Sequence, residues 1–168
     1  GPAMTPAQAH QALALGVRVA QEEIARGLDL LACGEMGIGN TTPATAIIAT
    51  FTGRAPLEIT GPGTGLAAPA VRLKADVIVR SLVVNQPDPA DGLDVLTKVG
   101  GFEIGAMAGA MLAAAAARVP VVVDGLIATS AALIAAALAP DARGYMISGH
   151  RSTEPGHNAA LACLGLTP

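Results

Sequence analysis

The stretch GEMGIGNTTPATA, Gly34 to Ala46, gathers a carboxylate (Glu35), glycines at 34, 37 and 39, an amide (Asn40) and two hydroxyls (Thr41, Thr42) between the apolar runs LDLLAC and IIATF. Only 14% of the chain is charged, and a connector needs no more than one or two turn residues, so this junction is over-equipped for a mere turn. Glycines leave peptide N–H groups open to a ligand. At a helix start, beside threonine hydroxyls, such amides suit a single phosphate. The stretch is neither a P-loop, since it lacks Gly-Lys-Ser/Thr, nor G-x-G-x-x-G. A capped helix behind a glycine-permitted tight turn is the alternative.

The glutamate of this stretch and three further places carry chemistry. A carboxylate directly after an apolar strand is desolvated, so Glu35 either finds donors or has its pKa raised; a structural cap on neighbouring amides is the other reading. Asp124-Gly125 is an ordinary turn and cap or a second acidic contact. In the GHRS loop, Ser148, Gly149, His150, Arg151 and Ser152 follow another apolar strand, and Arg151 suits a phosphate or carboxylate partner. Lys74, in an otherwise apolar helix after GPGTGL, is either a snorkelling surface residue or a second anion contact. His150 and His157, separated by Glu154-Pro155-Gly156, do not form a ligand pair on one helical turn, and no cysteine cluster supports them, so no metal site is expected.

The elements that position these groups follow from periodicity and stop signals. Thr5 to about Arg26 is an amphipathic helix with Thr5 as N-cap, Pro6 in the first turn and Gly27 as its stop. LDLLAC is a short buried strand, GEMGIGNTT its exit loop, and PATAIIATF a helix that Thr42-Pro43 begins. The same grammar returns in Val119–Val123, Asp124-Gly125 and a helix ending before Pro140, and again in Tyr145–Ser148, a polar loop and a helix stopped at Gly165. Three strand–loop–helix units imply α/β architecture: a parallel sheet with helices on both faces, Rossmann-like and doubly wound. Ligands of such sheets bind beyond the carboxyl ends of the strands, where Glu35–Thr42, Asp124-Gly125 and Ser148–Ser152 converge. Between the units, Gly105 and Gly109 in a segment of small residues allow another backbone to approach closely.

At 168 residues the chain buries roughly 70% of its unfolded surface in a single core. Hydrophobic residues make up 52% and aromatics 2%, so the interior is built from Leu, Val, Ile and Ala in close contact. A net charge of −3 without a Lys/Arg cluster argues against nucleic acid as a partner. The apolar runs are shorter than the roughly 20 residues of a membrane span. Cys33 and Cys163 lie far apart in apolar segments, as in a reduced, cytoplasmic protein. Residues 1–4, GPAM, read as a cleavage and cloning remnant, leaving 5–168 as one α/β domain.

GEMGIGNTT, GPGTGL, LDVLTKVGGFEIGAMAGAMLAAAAARVPVVVDGLIAT and GHRSTEPGH, in this order, resemble nicotinate-nucleotide–dimethylbenzimidazole phosphoribosyltransferases over nearly the whole chain, which is about half the length of a usual member. The resemblance implies transfer of phosphoribose from nicotinate mononucleotide to a benzimidazole nitrogen, with inversion to the α-ribotide, in cobalamin biosynthesis. It implies no metal or other cofactor, and a homodimer. Glu35 then assists at the ribose and base. Gly37, Ile38, Gly39, Asn40, Thr41 and Thr42 hold nucleotide and phosphate, Lys74 contacts phosphate, and Asp124, Gly125 and Ser148 to Ser152 line the cleft. Members continue into a Gly-Glu-Gly-Thr-Gly segment whose glutamate is the general base, whereas this chain stops at Leu166-Thr167-Pro168. Ala67-Ala68 stand where members often carry acidic residues. The expectation is therefore a domain with little or no transferase activity alone; a non-catalytic phosphate-binding module or a structural core fragment is the alternative.

Overall fold

The computed structural model describes residues 1–168. Helix α1 (Pro6–Ala25) starts in the expected manner: the Thr5 hydroxyl accepts from the Gln8 N–H at 3.3 Å, and the Gln8 side chain accepts from the Thr5 N–H at 2.9 Å. This reciprocal box satisfies two of the donors that a helix start leaves open. Upstream, the Ala3 and Met4 N–H groups donate to the carbonyls of Lys98 and Thr97, and Met4 is buried.

The sheet is short and wholly parallel. Strands β1 (Leu31–Cys33), β2 (Val121–Val123) and β3 (Met146–Ser148) lie in the order β1-β2-β3. All three are shorter than the sequence suggests, β3 by one residue because Tyr145 ends the 3-10 turn before it. Leu28 and Val119 direct their N–H groups to the carbonyls of Glu23 and Ala114, closing the preceding helices instead of joining the ladder. Pro120 has no N–H to give. Within the strands, Val121 and Val123 are buried, whereas the row Ala32, Val122 and Ile147 is at least partly exposed.

Helices supply most of the mass. Between β1 and β2 run α2 (Thr41–Thr52), α3 (Pro56–Ile59), α4 (Ala68–Asn85), α5 (Gly92–Val99) and α6 (Phe102–Ala116); α7 (Leu126–Leu138) leads toward β3, and α8 (Pro155–Leu164) follows it. α8 ends at Gly165, whose φ of 70° is the left-handed cap that glycine accepts without strain. None of these helices is long and apolar enough to cross a membrane. One core of aliphatic side chains, with Ile47, Ile48, Ile78, Leu96, Ile104 and Ile134 fully buried, joins α2, α4, α5, α6 and α7 to the sheet. Each contributes about 1.5–3 kcal/mol.

The small-residue segment does what its glycines imply. α1 and α6 cross in contact: a Cβ at Gly109 would overlap the Leu13 carbonyl oxygen, and one at Gly16 the carbonyl of Ala106. Because the obstacle is backbone, no rotamer change relieves it. Gly109→Val is expected to lower the urea-unfolding free energy by about 2–3 kcal/mol. Gly144→Ala, which meets nothing within 4 Å, should shift it by less than about 0.5 kcal/mol. Equal midpoints for the two variants would refute the close crossing.

Candidate functional site

The register decides where the loops go. Cys33 pairs with Val123 and Val123 with Ser148, so the three strands end level. The ladder runs one residue further: Asp124 N–H donates to the Cys33 carbonyl at 3.1 Å and Gly149 N–H to the Val123 carbonyl at 2.8 Å. Gly34, Asp124 and Gly149 therefore leave the sheet side by side, and a Cβ on Gly34 would sit 3.2 Å from Asp124 Oδ2. Over this rim opens a cleft of about 180 Å³. Its walls include Glu35, Gly37 and Thr41 from the first loop, Asp124 and Gly125 from the second, and His150 and Ser152 from the third. Met36, Gly63, Thr64 and Glu154 complete its lining on the loop side.

Glu35 has found donors. Burial pushes its carboxyl up, but the Asn40 side-chain amide and the Gly37 and Met36 backbone N–H groups outweigh that, and its pKa lies below the usual carboxylate value. The group is thus an anion at neutral pH, an acceptor for hydroxyls or a neighbour for developing positive charge, and a weak base. Asn40 is buried behind it. Its amide nitrogen donates to Glu103 Oε1 at 3.2 Å, and its Oδ1 has no hydrogen-bond partner. Asn40, one residue before α2, makes no side-chain cap. The helix begins at Thr41, so Thr42-Pro43 lies inside the first turn, where proline's missing N–H is tolerated. That corrects Thr42 as the residue that begins the helix.

Lys74 is no snorkelling surface residue. It is buried, and its Nζ donates to Thr41 Oγ1 at 2.8 Å and to the Gly61 carbonyl at 3.1 Å. Burial pulls its pKa below the usual lysine value, and the charge of Glu154 offsets part of this. Glu154 in turn accepts from the Gly63 N–H at 2.8 Å, while its other oxygen is buried without a partner. A Cβ at Gly61 would collide with this carboxylate. The GPGTG loop is therefore clamped between a lysine and a glutamate remote in sequence.

His150 Nδ1 lies 3.2 Å from Asp124 Oδ1, both half exposed. His157 is fully buried; its Nδ1 accepts from the Ser152 N–H at 2.9 Å, and its Nε2 lies 3.0 Å from Thr129 Oγ1. Ser148 is buried, its hydroxyl donating to the His150 carbonyl at 3.3 Å, and Gly149 packs on Val122. Other expected residues stand outside the cleft wall. Ile38 and Gly39 are exposed on the outer loop, and Arg151 is exposed. Thr42 lines a separate hollow with Pro43, Val77 and Lys98. Asn40 and Lys74 lie behind the wall, Lys74 acting on it through Thr41.

Sequence reasoning missed Gly63, Thr64, Glu154, Glu103 and the His157–Thr129 pair as parts of this site. The GPGTGL string was a visible signal for the first two, and a glutamate before Pro155 at a helix start for the third. Nothing local marks Glu103 or Thr129.

A parallel sheet with its strand-exit loops around one cleft, walled by glycines, threonine hydroxyls and carboxylates with a lysine buried behind them, defines an α/β protein whose candidate site lies at the carboxyl edge of the sheet. A family model described as phosphoribosyltransferase matches residues 1–168, and the chain belongs to that family. It is similar to the nicotinate-nucleotide–dimethylbenzimidazole phosphoribosyltransferases of Desulforudis audaxviator, 57% identical over 100% of this chain and 48% of that protein, and of Chloroflexus aggregans, 57% identical over 99% and 47%. The crystal structure of CobT from Thermus thermophilus superposes with a TM-score of 0.95 at 43% identity, covering 100% of this chain and 50% of that one. The chain thus spans about half the length of the relatives it matches.

If Lys74 and Glu154 sense each other's charge, their substitutions are non-additive. Lys74→Met should cost about 1–3 kcal/mol in urea unfolding, because it strands the Gly61 carbonyl and the Glu154 charge. Adding Glu154→Gln should cost less in that background than in wild type. Strictly additive costs would show that the two groups are independent.

Proposed function

We propose that this chain forms the nucleotide-holding core of a nicotinate-nucleotide–dimethylbenzimidazole phosphoribosyltransferase, acting in the cytoplasm in cobalamin synthesis. What supports the reading is the division of charge in the cleft. The phosphate of nicotinate mononucleotide sits toward Thr41 and Thr64, over the start of α2, where the Lys74 charge behind the wall offsets that of Glu154. The ribose hydroxyls face Glu35 and Asp124, which accept hydrogen bonds but would repel phosphate.

In the reaction, a benzimidazole nitrogen attacks C1′ from the face opposite nicotinate. The C1′–N bond breaks, nicotinate leaves with its electron pair, and inversion gives the α-ribotide. Positive charge grows on the ribose as the bond breaks, and the ionised Glu35 stabilises it. The acceptor must also lose its N–H proton. Glu35, held ionised by three donors, is too weak a base to take it readily, so the 168 residues alone should bind nucleotide and turn over slowly or not at all. A missing general base costs about 10²–10⁴ in rate. The same feature favours the second reading, a phosphate-binding module without turnover. A homodimer goes with the enzyme reading. α4 leaves Leu73, Val77, Val83 and Val84 exposed, an apolar surface that pairing with a second copy would cover.

Titration calorimetry with nicotinate mononucleotide should give a measurable heat with wild type, weakened about tenfold or more in Thr41→Ala and Lys74→Met. Chromatography after adding dimethylbenzimidazole should find only traces of α-ribotide. Absence of heat in all three proteins would refute the nucleotide site, and rapid turnover would refute the assignment of Glu35 as a poor base. Sedimentation should find a dimer that Leu73→Glu with Val77→Glu dissociates; a wild-type monomer would overturn the pairing.

A further inference from the structure

Beyond Gly149, no backbone hydrogen bond joins the Asp124-Gly125 loop to the Ser148–Ser152 loop. Yet the two face each other across the cleft, a Cβ on Gly125 lying 3.6 Å from His150 Cε1 and 4.0 Å from Ser152 Cβ. Their separation must be set by side chains. We infer that His157 is a positioning residue: with Thr129 it forms a buried, one-directional chain of hydrogen bonds that fixes the third loop to the second and so sets the width of the cleft between Ser152 and Gly125. Its consequence for ligand affinity rests on the function proposed above; its structural test does not.

The protons can be placed by elimination. The Ser152 N–H donates to His157 Nδ1 at 2.9 Å, so Nδ1 carries a lone pair and no proton. The Thr129 hydroxyl donates its only proton to the Gly125 carbonyl at 2.8 Å. The contact between Thr129 Oγ1 and His157 Nε2, 3.0 Å, must then be filled by a proton on Nε2. The sequence of donors runs from the Ser152 N–H through Nδ1, then Nε2–H to the Thr129 oxygen, then its hydroxyl to the Gly125 carbonyl. Only one tautomer of one protonation state satisfies all three bonds. His157 and Thr129 are both fully buried, so no water replaces a broken link cheaply. The His150–Asp124 pair spans the same two loops at the surface, where solvent screens it.

Protonation breaks this chain. A proton on Nδ1 would set a donor against the Ser152 N–H. The charged groups around the ring are His150 and Arg151 on the third loop and Asp124 on the second. Of the helices that pack against α8, α2 and α7 carry no ionisable side chains, and α3 carries only Glu58, which is exposed. Burial disfavours the imidazolium most, and His150 and Arg151 add to this against the opposing pull of Asp124, so His157 titrates below the usual imidazole value. For a base whose folded pKa is depressed, the unfolded chain takes up the proton first. Stability therefore falls as pH drops below about 6.5 and levels off once pH passes the lower folded value.

The test combines nitrogen-15 spectroscopy with amide hydrogen exchange on the 168-residue chain. Expected is the Nε2–H neutral tautomer at about pH 7, persisting to pH values at which a free imidazole is mostly charged. Thr129→Val and His157→Phe, which keep volume and delete the chain, should speed exchange of the Ser152 amide by about tenfold or more while leaving Val121 to Val123 unchanged. His157→Asn, whose side-chain oxygen takes the place of Nδ1, should restore protection of Ser152 in part. An Nδ1–H tautomer, unchanged Ser152 exchange, or loosening spread equally over the strands would each overturn the assignment; Thr129→Val reads the same link if His157→Phe does not fold. In calorimetry, the deletion variants should weaken nicotinate mononucleotide binding. A wild type without heat would sink the proposed function and leave the exchange result standing.

Discussion

Parallel strands hydrogen-bonded in register must end together, and on that constraint the rest of this molecule depends. The pairs Cys33–Val123 and Val123–Ser148, with the one-residue extensions to Asp124 and Gly149, put three chain exits on one level. A slip of one residue in either pair would turn the side chains of that strand to the opposite face. The short strands suffice because helices pack against the face that carries Cys33, Val121, Val123 and Met146 and hold the register there.

From that rim the polar groups sort themselves by what they can tolerate. Carboxylates near the end of an apolar strand have to be met by donors, and Glu35 is met by amides of its own loop. A buried ammonium needs acceptors and a countercharge; Lys74 has the Thr41 hydroxyl, the Gly61 carbonyl and the nearby Glu154. The two solutions interlock, since Thr41 also borders the Glu35 loop and Gly63 is held by Glu154.

The helical layer serves the same end by other means. Near-absence of aromatic residues leaves no large side chain to span gaps, so α1 and α6 close on each other at Gly16 and Gly109. That contact supports Ile104, Ala108 and Met111 beneath the sheet, at the cost of allowing no larger residue at the crossing.

Much of this was legible in the residues themselves. The Thr5 cap, the Gly165 stop, the three strand–loop–helix units and the meeting of Glu35, Asp124 and His150 at one edge all follow from local signals: alternating stop residues, apolar runs and the geometry of parallel sheets. Lys74, Glu154, Thr129 and His157 were not assignable that way. Thr41 for Lys74, Gly63 for Glu154 and His157 for Thr129 lie 28 to 91 residues away in the chain, and a side chain's role as strut, countercharge or link is a property of what folding brings beside it. Sequence determined which chemistry could be present and at which edge; only tertiary packing decided which groups are buried, which are paired, and therefore which face the cleft.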